Sequence, residues 1–320
     1  MSIPALSVYQ STALTWLRVS AMGLIVSCHL LQAYDNRWAW VLNVGVQIFL
    51  AMSGYLYGHK HIQSWPEWFF SRLKKLYVPY FIFLFVALSA LAISAPGSVQ
   101  IKQIAIYILD LQGILGGVNG LNHLWFMTAI GLCYLITPVL QRMRDKHCRL
   151  LWLILITAAI VEYAFARVHL YYFSWCFLYA FGYGYAVISE KFRRIIDVTL
   201  LLLVAGFILL ELRWEVILEY GSWQNRFFHD MSGLVLLFGG IRVLQGLKLN
   251  RVPSVVLRLD KLSYPVYIVH HIFILGPFSL AFLTSHKSLN VIIMLTLSMA
   301  VAILLGKTSQ IVTKRFPNLP

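Results

Sequence analysis

Residues 76–95 read LYVPYFIFLFVALSALAISA, twenty consecutive positions without a charged side chain. A hydrocarbon core about 30 Å thick is crossed by roughly 20 helical residues, so this stretch has the length and polarity of one membrane-spanning helix. The same pattern repeats in both directions along the chain. Comparable runs occupy 12–33, 39–58, 121–140, 149–166, 172–188, 198–213, 231–247, 264–284 and 289–311, with 198–213 the shortest, which makes about ten spans. Between them lie short charged or Pro/Gly-containing connections. The stretch 101–118 is apolar but is broken by Asp110 and by glycines, and is read as re-entrant or interfacial, with an eleventh span as the alternative.

Composition agrees. Hydrophobic residues fill 60% of the 320 positions and charged residues 12%, with a mean hydropathy of +0.75, far from the balance of a water-soluble domain. The expected fold class is an all-α polytopic membrane protein of about ten transmembrane helices, organised as a single domain over residues 1–320. Short loops leave no place for an appended soluble catalytic domain, so any chemistry is expected among the helices or in the cytoplasmic connections.

A formal net charge of +14 raises the question of a polyanionic partner, which the distribution of the cations answers. Nineteen of the 26 Lys and Arg residues fall in or within a few residues of the connections after spans two, four, six and eight and the C-terminal end. The opposite side holds Arg37, Lys102, Arg167, Arg213, Arg226 and Lys287. That asymmetry is the positive-inside pattern of a chain with both termini in the cytoplasm, and it accounts for the charge without nucleic acid. No cleavable signal peptide is expected, since residues 1–11 lack a basic start. The four cysteines, Cys28, Cys133, Cys148 and Cys176, match no metal or haem spacing, and neither disulfides nor a metal site is expected.

Polar side chains inside apolar runs are costly and point to function. Arg18 lies about six residues into the first span and His29 follows eleven residues later, an offset of only about 20° beyond three helical turns. The two side chains are expected to share a helix face, roughly 16 Å apart along the axis. A lined cavity is one reading; the other is that Arg18 snorkels to the headgroups while His29 bonds a neighbouring helix. No acidic residue near the middle of the first three spans neutralises Arg18, which suits an anionic or carbonyl-bearing ligand. In the second span, Gly54 and Gly58 have the spacing of closely packed helices, with Ser53 and Tyr55 as lesser candidates for lining a cavity.

Ser64-Trp-Pro-Glu67 is a helix-start pattern, and Trp68, Arg72 and Lys75 then fall on one face. A phosphate-rich ligand would suit those cations, and so would anionic lipid. His123-Leu-Trp125-Phe126 opens the fourth span. Ser263-Tyr264-Pro-Val-Tyr267-Ile-Val-His270-His271 opens the ninth, with His270 deeper than an interfacial residue and His271 on a different face.

Taken together these residues resemble the acyltransferase-3 family of bacterial membrane O-acyltransferases. Arg18 and His29 are similar to its Arg, ten residues, His signature, and Ser53-Gly54-Tyr55-Leu56 to its next block. The basic residues before Pro79, the His123-Leu-Trp125-Phe126 tract and Ser263-Tyr264-x-x-Tyr267-x-x-His270 follow in the family's order. One departure is that the family's cytoplasmic Arg-x-x-Arg stands here as Arg72-Leu-Lys-Lys75; an ammonium still offers a point charge but loses bidentate geometry.

The resemblance implies transfer of an acyl group, usually acetyl, from cytoplasmic acyl-CoA to a hydroxyl of an extracytoplasmic or lipid-linked glycan such as a surface polysaccharide, in the bacterial inner membrane. It implies no permanently bound cofactor, with acetyl-CoA as the donor substrate. Arg72 and Lys75 would hold the CoA phosphates, Arg18 would steady the thioester end, and His29 would take the proton of the attacking hydroxyl or itself carry the acyl group. Ser53, Tyr55, His123, Trp125, Tyr264, Tyr267 and His270 would line the cavity or meet the acceptor. The competing reading is a transporter or flippase for a lipid-linked or polar substrate; buried carboxylates or inverted repeats would be its expected marks, and neither is evident. A structural subunit would not need Arg18 and His29 on one face, and a polysaccharide polymerase or ligase would be marked by larger extracytoplasmic loops.

Overall fold

In lipid a backbone amide or carbonyl finds no solvent partner, and a helix satisfies both within one segment. The structure, a computed structural model, describes residues 5–118, 120–146, 153, 156–157, 161, 172–214 and 222–315. Among them are eleven α-helices and no strand. They are α1 (Val8–Ala33), α2 (Gly45–Gly58), α3 (Trp65–Ser94), α4 (Ile101–Ile108), α5 (Gln112–Leu115), α6 (Trp125–Lys146), α7 (Tyr172–Val187), α8 (Glu190–Trp214), α9 (Trp223–Gly246), α10 (Ser254–Ile274) and α11 (Lys287–Arg315). Two 3-10 turns, Arg37–Leu42 and Asn122–Leu124, lead into α2 and α6.

Among the described residues, seven segments are long and apolar enough to cross a membrane: Val8–Ala33, Arg37–Gly58, Trp65–Ser94, Asn122–Lys146, Glu190–Trp214, Trp223–Gly246 and Lys287–Arg315. The chain is thus an all-helical, multi-pass membrane protein. These seven correspond to the first, second, third, fourth, seventh, eighth and tenth expected spans. The fifth, at 149–166, lies largely outside the described residues, as do Cys148 and Arg167. The sixth is the 16-residue α7, about 24 Å long.

Two boundaries change. The helix at the expected ninth span runs not over 264–284 but as α10, displaced ten residues towards the N-terminus, and it is not one of the seven segments long and apolar enough to cross a membrane. Pro265, read as a helix start, sits inside this helix, and the charged stretch before it, with Arg258, Asp260 and Lys261, is already helical. The helix stops at Gly276-Pro277, where the amides of Leu275 and Gly276 both turn back to the His271 carbonyl at 2.9 and 2.8 Å. The third span begins earlier than 76, at Trp65, where Ser64-Trp-Pro-Glu67 foretold a start, although the Ser64 side chain makes no capping bond. Its 30 residues extend about 45 Å, more than the hydrocarbon core requires. The stretch 101–118, read as re-entrant or interfacial, does not form the alternative eleventh span. Asp110 adopts φ 54° and Gly116 φ 79°, so the stretch breaks into α4 and α5, and the eight residues of α4 reach only about 12 Å.

The contacts of the chain gather into two compact units. The first comprises Met1–Ile25, Trp40–His61 and Ile130–Asp260. Within it α2 lies against α7 at close range, because both helices present glycine. A methyl group at Gly54 would run into the Tyr179 carbonyl, one at Gly182 into that of Ala51, and one at Gly58 into Tyr183 and Ala186. By contrast, only 6% of the most apolar stretch of α8 is buried; apart from Leu200 its leucines face outward, as lipid-facing side chains do.

The second unit comprises Val26–Ala39, Ile62–Ala129 and Lys261–Pro320. Here α3 packs along α11. The irregular stretch is tied down by two tyrosines: Tyr80 donates to the Tyr107 carbonyl at 2.8 Å, and the Val118 amide donates to the Tyr107 hydroxyl at 2.9 Å.

Candidate functional site

Three element ends meet in the second unit, and each brings histidine. His29 lies four residues before the end of α1, His270 and His271 lie in the last turns of α10, and His123 lies in the 3-10 turn before α6. Nδ1 of His29 is 2.8 Å from Nε2 of His270. Their ring planes differ by 12° with centroids 5.0 Å apart, a separation made up of the N···N distance plus two ring half-widths. The rings are therefore side by side in nearly one plane, joined by an in-plane hydrogen bond, rather than face to face.

His271 stands edge-on to His29 at 4.9 Å and lies nearly parallel to His123 at 4.5 Å. Each supporting ring is fixed by a backbone carbonyl. Nδ1 of His270 meets the carbonyls of Val266 and Tyr267 at 2.9 and 2.8 Å. Nε2 of His123 meets Ile268 O at 2.8 Å, and Nδ1 of His271 meets Gly120 O at 3.1 Å. Gly120 is required at its position twice over, with φ 88° and Pro277 where a Cβ would go. His270 and His123 are 0% and 4% exposed, whereas His29 keeps partial exposure. Although four imidazoles assemble, among the described residues no group of three or more His, Cys, Asp and Glu is arranged to hold a metal ion.

The other candidates of this unit fall into two sets. Tyr267 is buried and its hydroxyl donates to the His123 carbonyl, while Tyr264 donates to the Leu76 carbonyl at 2.5 Å and contacts the Met127 sulfur. Both hydroxyls thus brace the cluster's surroundings. Trp125 is partly buried at the start of α6. Arg72, partly buried, and Lys75, exposed, stand one turn apart on α3 in this same unit.

Ser53, Tyr55 and Arg18 belong to the first unit. Tyr55 is 1% exposed, its hydroxyl accepts from Gln10 at 3.1 Å, and its ring meets His59 at 4.5 Å, so it is a packed core residue. Ser53 is partly buried on the same helix. Arg18 has a partner that the first three spans did not suggest: its Nη1 lies 2.7 and 2.9 Å from the two carboxylate oxygens of Asp260. The expectation of an unneutralised Arg18 is thereby corrected.

Sequence reading also missed a carboxylate node in the second unit. Asp110 accepts from the Tyr77 hydroxyl, from Gln112 Nε2 at 2.8 Å and from Thr128 Oγ1 at 3.2 Å. Burial pushes its carboxyl up to about 6, against the pull of these three donors. Beside it a groove of about 590 Å³ runs past Lys74, Tyr77, Phe81 and Asp110, and none of the candidate site residues lines it. The interruption at Asp110 in an apolar stretch was the available signal; for Asp260 and His271 the signal would have been their place on α10 with His270.

A family model described as an acyltransferase domain, that of the acyltransferase-3 family, matches residues 11–307. No curated protein and no solved structure matches the chain.

Proposed function

Since this chain belongs to the acyltransferase-3 family and is a multi-pass membrane acyltransferase, we propose that it moves an acetyl group from cytoplasmic acetyl-CoA to a hydroxyl of an extracytoplasmic or lipid-linked glycan such as a surface polysaccharide. The observation that carries the reading is His29: a partly buried histidine whose imidazole is held at 2.8 Å by a second imidazole, in a chain whose family transfers acyl groups. A ring held that way is suited to general-base work, which requires a fixed lone pair within hydrogen-bond reach of the proton it takes.

In this reading the hydroxyl proton passes to His29 as the oxygen attacks the thioester carbonyl carbon. The C–S bond then breaks, and the departing thiolate takes the proton back from His29. Arg72 and Lys75 supply two cations one turn apart for the phosphates of the donor, the first as a fork and the second as a point charge. Arg18 enters with its charge already balanced by Asp260. Its Nε and second terminal nitrogen remain for donation, and a carbonyl oxygen suits such a group better than a full negative charge does. Ten spans, counted from the apolar runs, with both termini in the cytoplasm, as the positive-inside asymmetry supports, and a bacterial inner membrane, as the family resemblance implies, complete the proposal.

The test is to incubate the purified protein in lipid with labelled acetyl-CoA and candidate glycans, alongside His29→Ala and Arg72→Ala. Label should move to the glycan with wild type, fall by roughly 10²–10⁴ in kcat with His29→Ala, and show a raised KM for the donor with Arg72→Ala. Transfer indifferent to both changes would remove the site assignment. Uptake of substrate without acyl transfer would favour a transporter instead.

A further inference from the structure

Which nitrogen of His29 carries the proton is decided by its neighbour. Two backbone carbonyls face Nδ1 of His270, those of Val266 at 2.9 Å and Tyr267 at 2.8 Å. A carbonyl oxygen can only accept, so Nδ1 of His270 bears a hydrogen. In the neutral ring the other nitrogen, Nε2, then holds the lone pair. That nitrogen faces Nδ1 of His29 at 2.8 Å, in the plane of both rings. Two lone pairs would repel at this distance, so Nδ1 of His29 is the donor and Nε2 of His29 is left as the base.

We propose that His270 is a positioning residue: the chain from the Val266 and Tyr267 carbonyls through His270 to His29 holds His29 as its Nδ1–H tautomer and leaves the Nε2 lone pair for the acceptor hydroxyl. The role in turnover rests on the acyltransferase reading above; the tautomer does not. The logic is that of a base oriented by a third group, with an imidazole anchored to helix carbonyls in place of the more familiar carboxylate. The neighbours agree. The other two rings are each locked by a carbonyl of their own, His123 through Nε2 to Ile268 and His271 through Nδ1 to Gly120. His271 meets His29 edge-on, whereas the hydrogen bond of the His29 ring goes to His270, so a single neighbour sets its tautomer.

The experiment reads the tautomer without turnover. Protein carrying ¹⁵N-labelled histidine is placed in lipid nanodiscs, and the His29 signals are assigned by their loss in His29→Gln. Wild type should show a protonated Nδ1 and a bare Nε2. In His270→Ala this preference should be lost and kcat should fall about 10- to 100-fold with KM for the donor unchanged. His270→Gln, whose amide oxygen can accept from Nδ1, should recover much of both. The proposal is overturned if wild-type His29 carries its proton on Nε2, if His270→Ala leaves the tautomer as it was, or if kcat survives loss of the tautomer. Absence of transfer from any donor with the tautomer intact would sink the acyltransferase reading and leave the His270 assignment standing.

Discussion

Arg18 and Asp260, 242 residues apart in the chain, form a two-pronged ion pair in which one guanidinium nitrogen reaches both carboxylate oxygens at 2.7 and 2.9 Å. The pair is partly exposed, with side-chain accessibilities of 30% and 17%, so its net contribution is modest while the cost of orphaning one member is larger. Asp260→Ala should therefore lower stability by roughly 1–3 kcal/mol, measured as the thermal midpoint in detergent. The double exchange Arg18→Asp with Asp260→Arg should recover part of the loss. A double exchange no better than the sum of the single changes would show that the two charges are not coupled.

Asp110 predicts a pH dependence of stability. Its carboxyl is pushed up to about 6 from an ordinary value of 3.8, so between those values the folded chain binds a proton that the unfolded chain has released. Stability linked to this group is thus fully present at low pH and is lost as pH rises through about 6, by up to roughly 3 kcal/mol. The thermal midpoint should fall between pH 4 and 7 in wild type and be flatter in Asp110→Asn. A midpoint rising over that interval in wild type and unchanged by the substitution would refute the assignment.

Close approach of α2 and α7 rests on missing side chains. Gly54→Leu should destabilise by about 1–3 kcal/mol or more, because its side chain would enter the space of the Tyr179 carbonyl. Gly206→Leu on the lipid-facing α8, where nothing lies within 4 Å of the added carbon, should be tolerated. Yield and monodispersity after detergent extraction report the difference, and equal behaviour of the two variants would argue against glycine-mediated packing.

The donor site is open to a graded test. If Arg72 and Lys75 hold phosphates, Arg72→Ala should raise the KM for acetyl-CoA by roughly 10-fold or more with little change in kcat. Lys75→Arg should leave KM unchanged or lower it by restoring the fork geometry. Initial rates at varied donor concentration measure both. A fall in kcat at constant KM in Arg72→Ala would move this residue from donor binding to another role.

Much of the fold was legible because a bilayer imposes a local rule: apolar length decides a span, and that length is counted along the chain. The seven apolar segments obey it, and the break at Asp110 was visible as a charge in an apolar stretch. The start of α10 was not legible, since Pro265 is equally at home in a first turn and inside a helix whose neighbours absorb the missing bond. The same limit applies to the site. Arg18, His29 and His270 stood out as polar residues in apolar surroundings, and their type and approximate depth followed from sequence.

What sequence could not decide is who faces whom. That Arg18 meets Asp260, that His29 lies in plane with His270 and edge-on to His271, and that Gly120 offers its carbonyl to His271 all depend on which helices are neighbours and how they are rotated. Helix pairing is set by side-chain volumes and glycine gaps spread over the chain, which leave no periodic trace near the paired residues. The composition of the helices is a local property and was determined by sequence; the choice of a proton-bearing nitrogen on His29 is a property of assembled helices, and only the tertiary structure decides it.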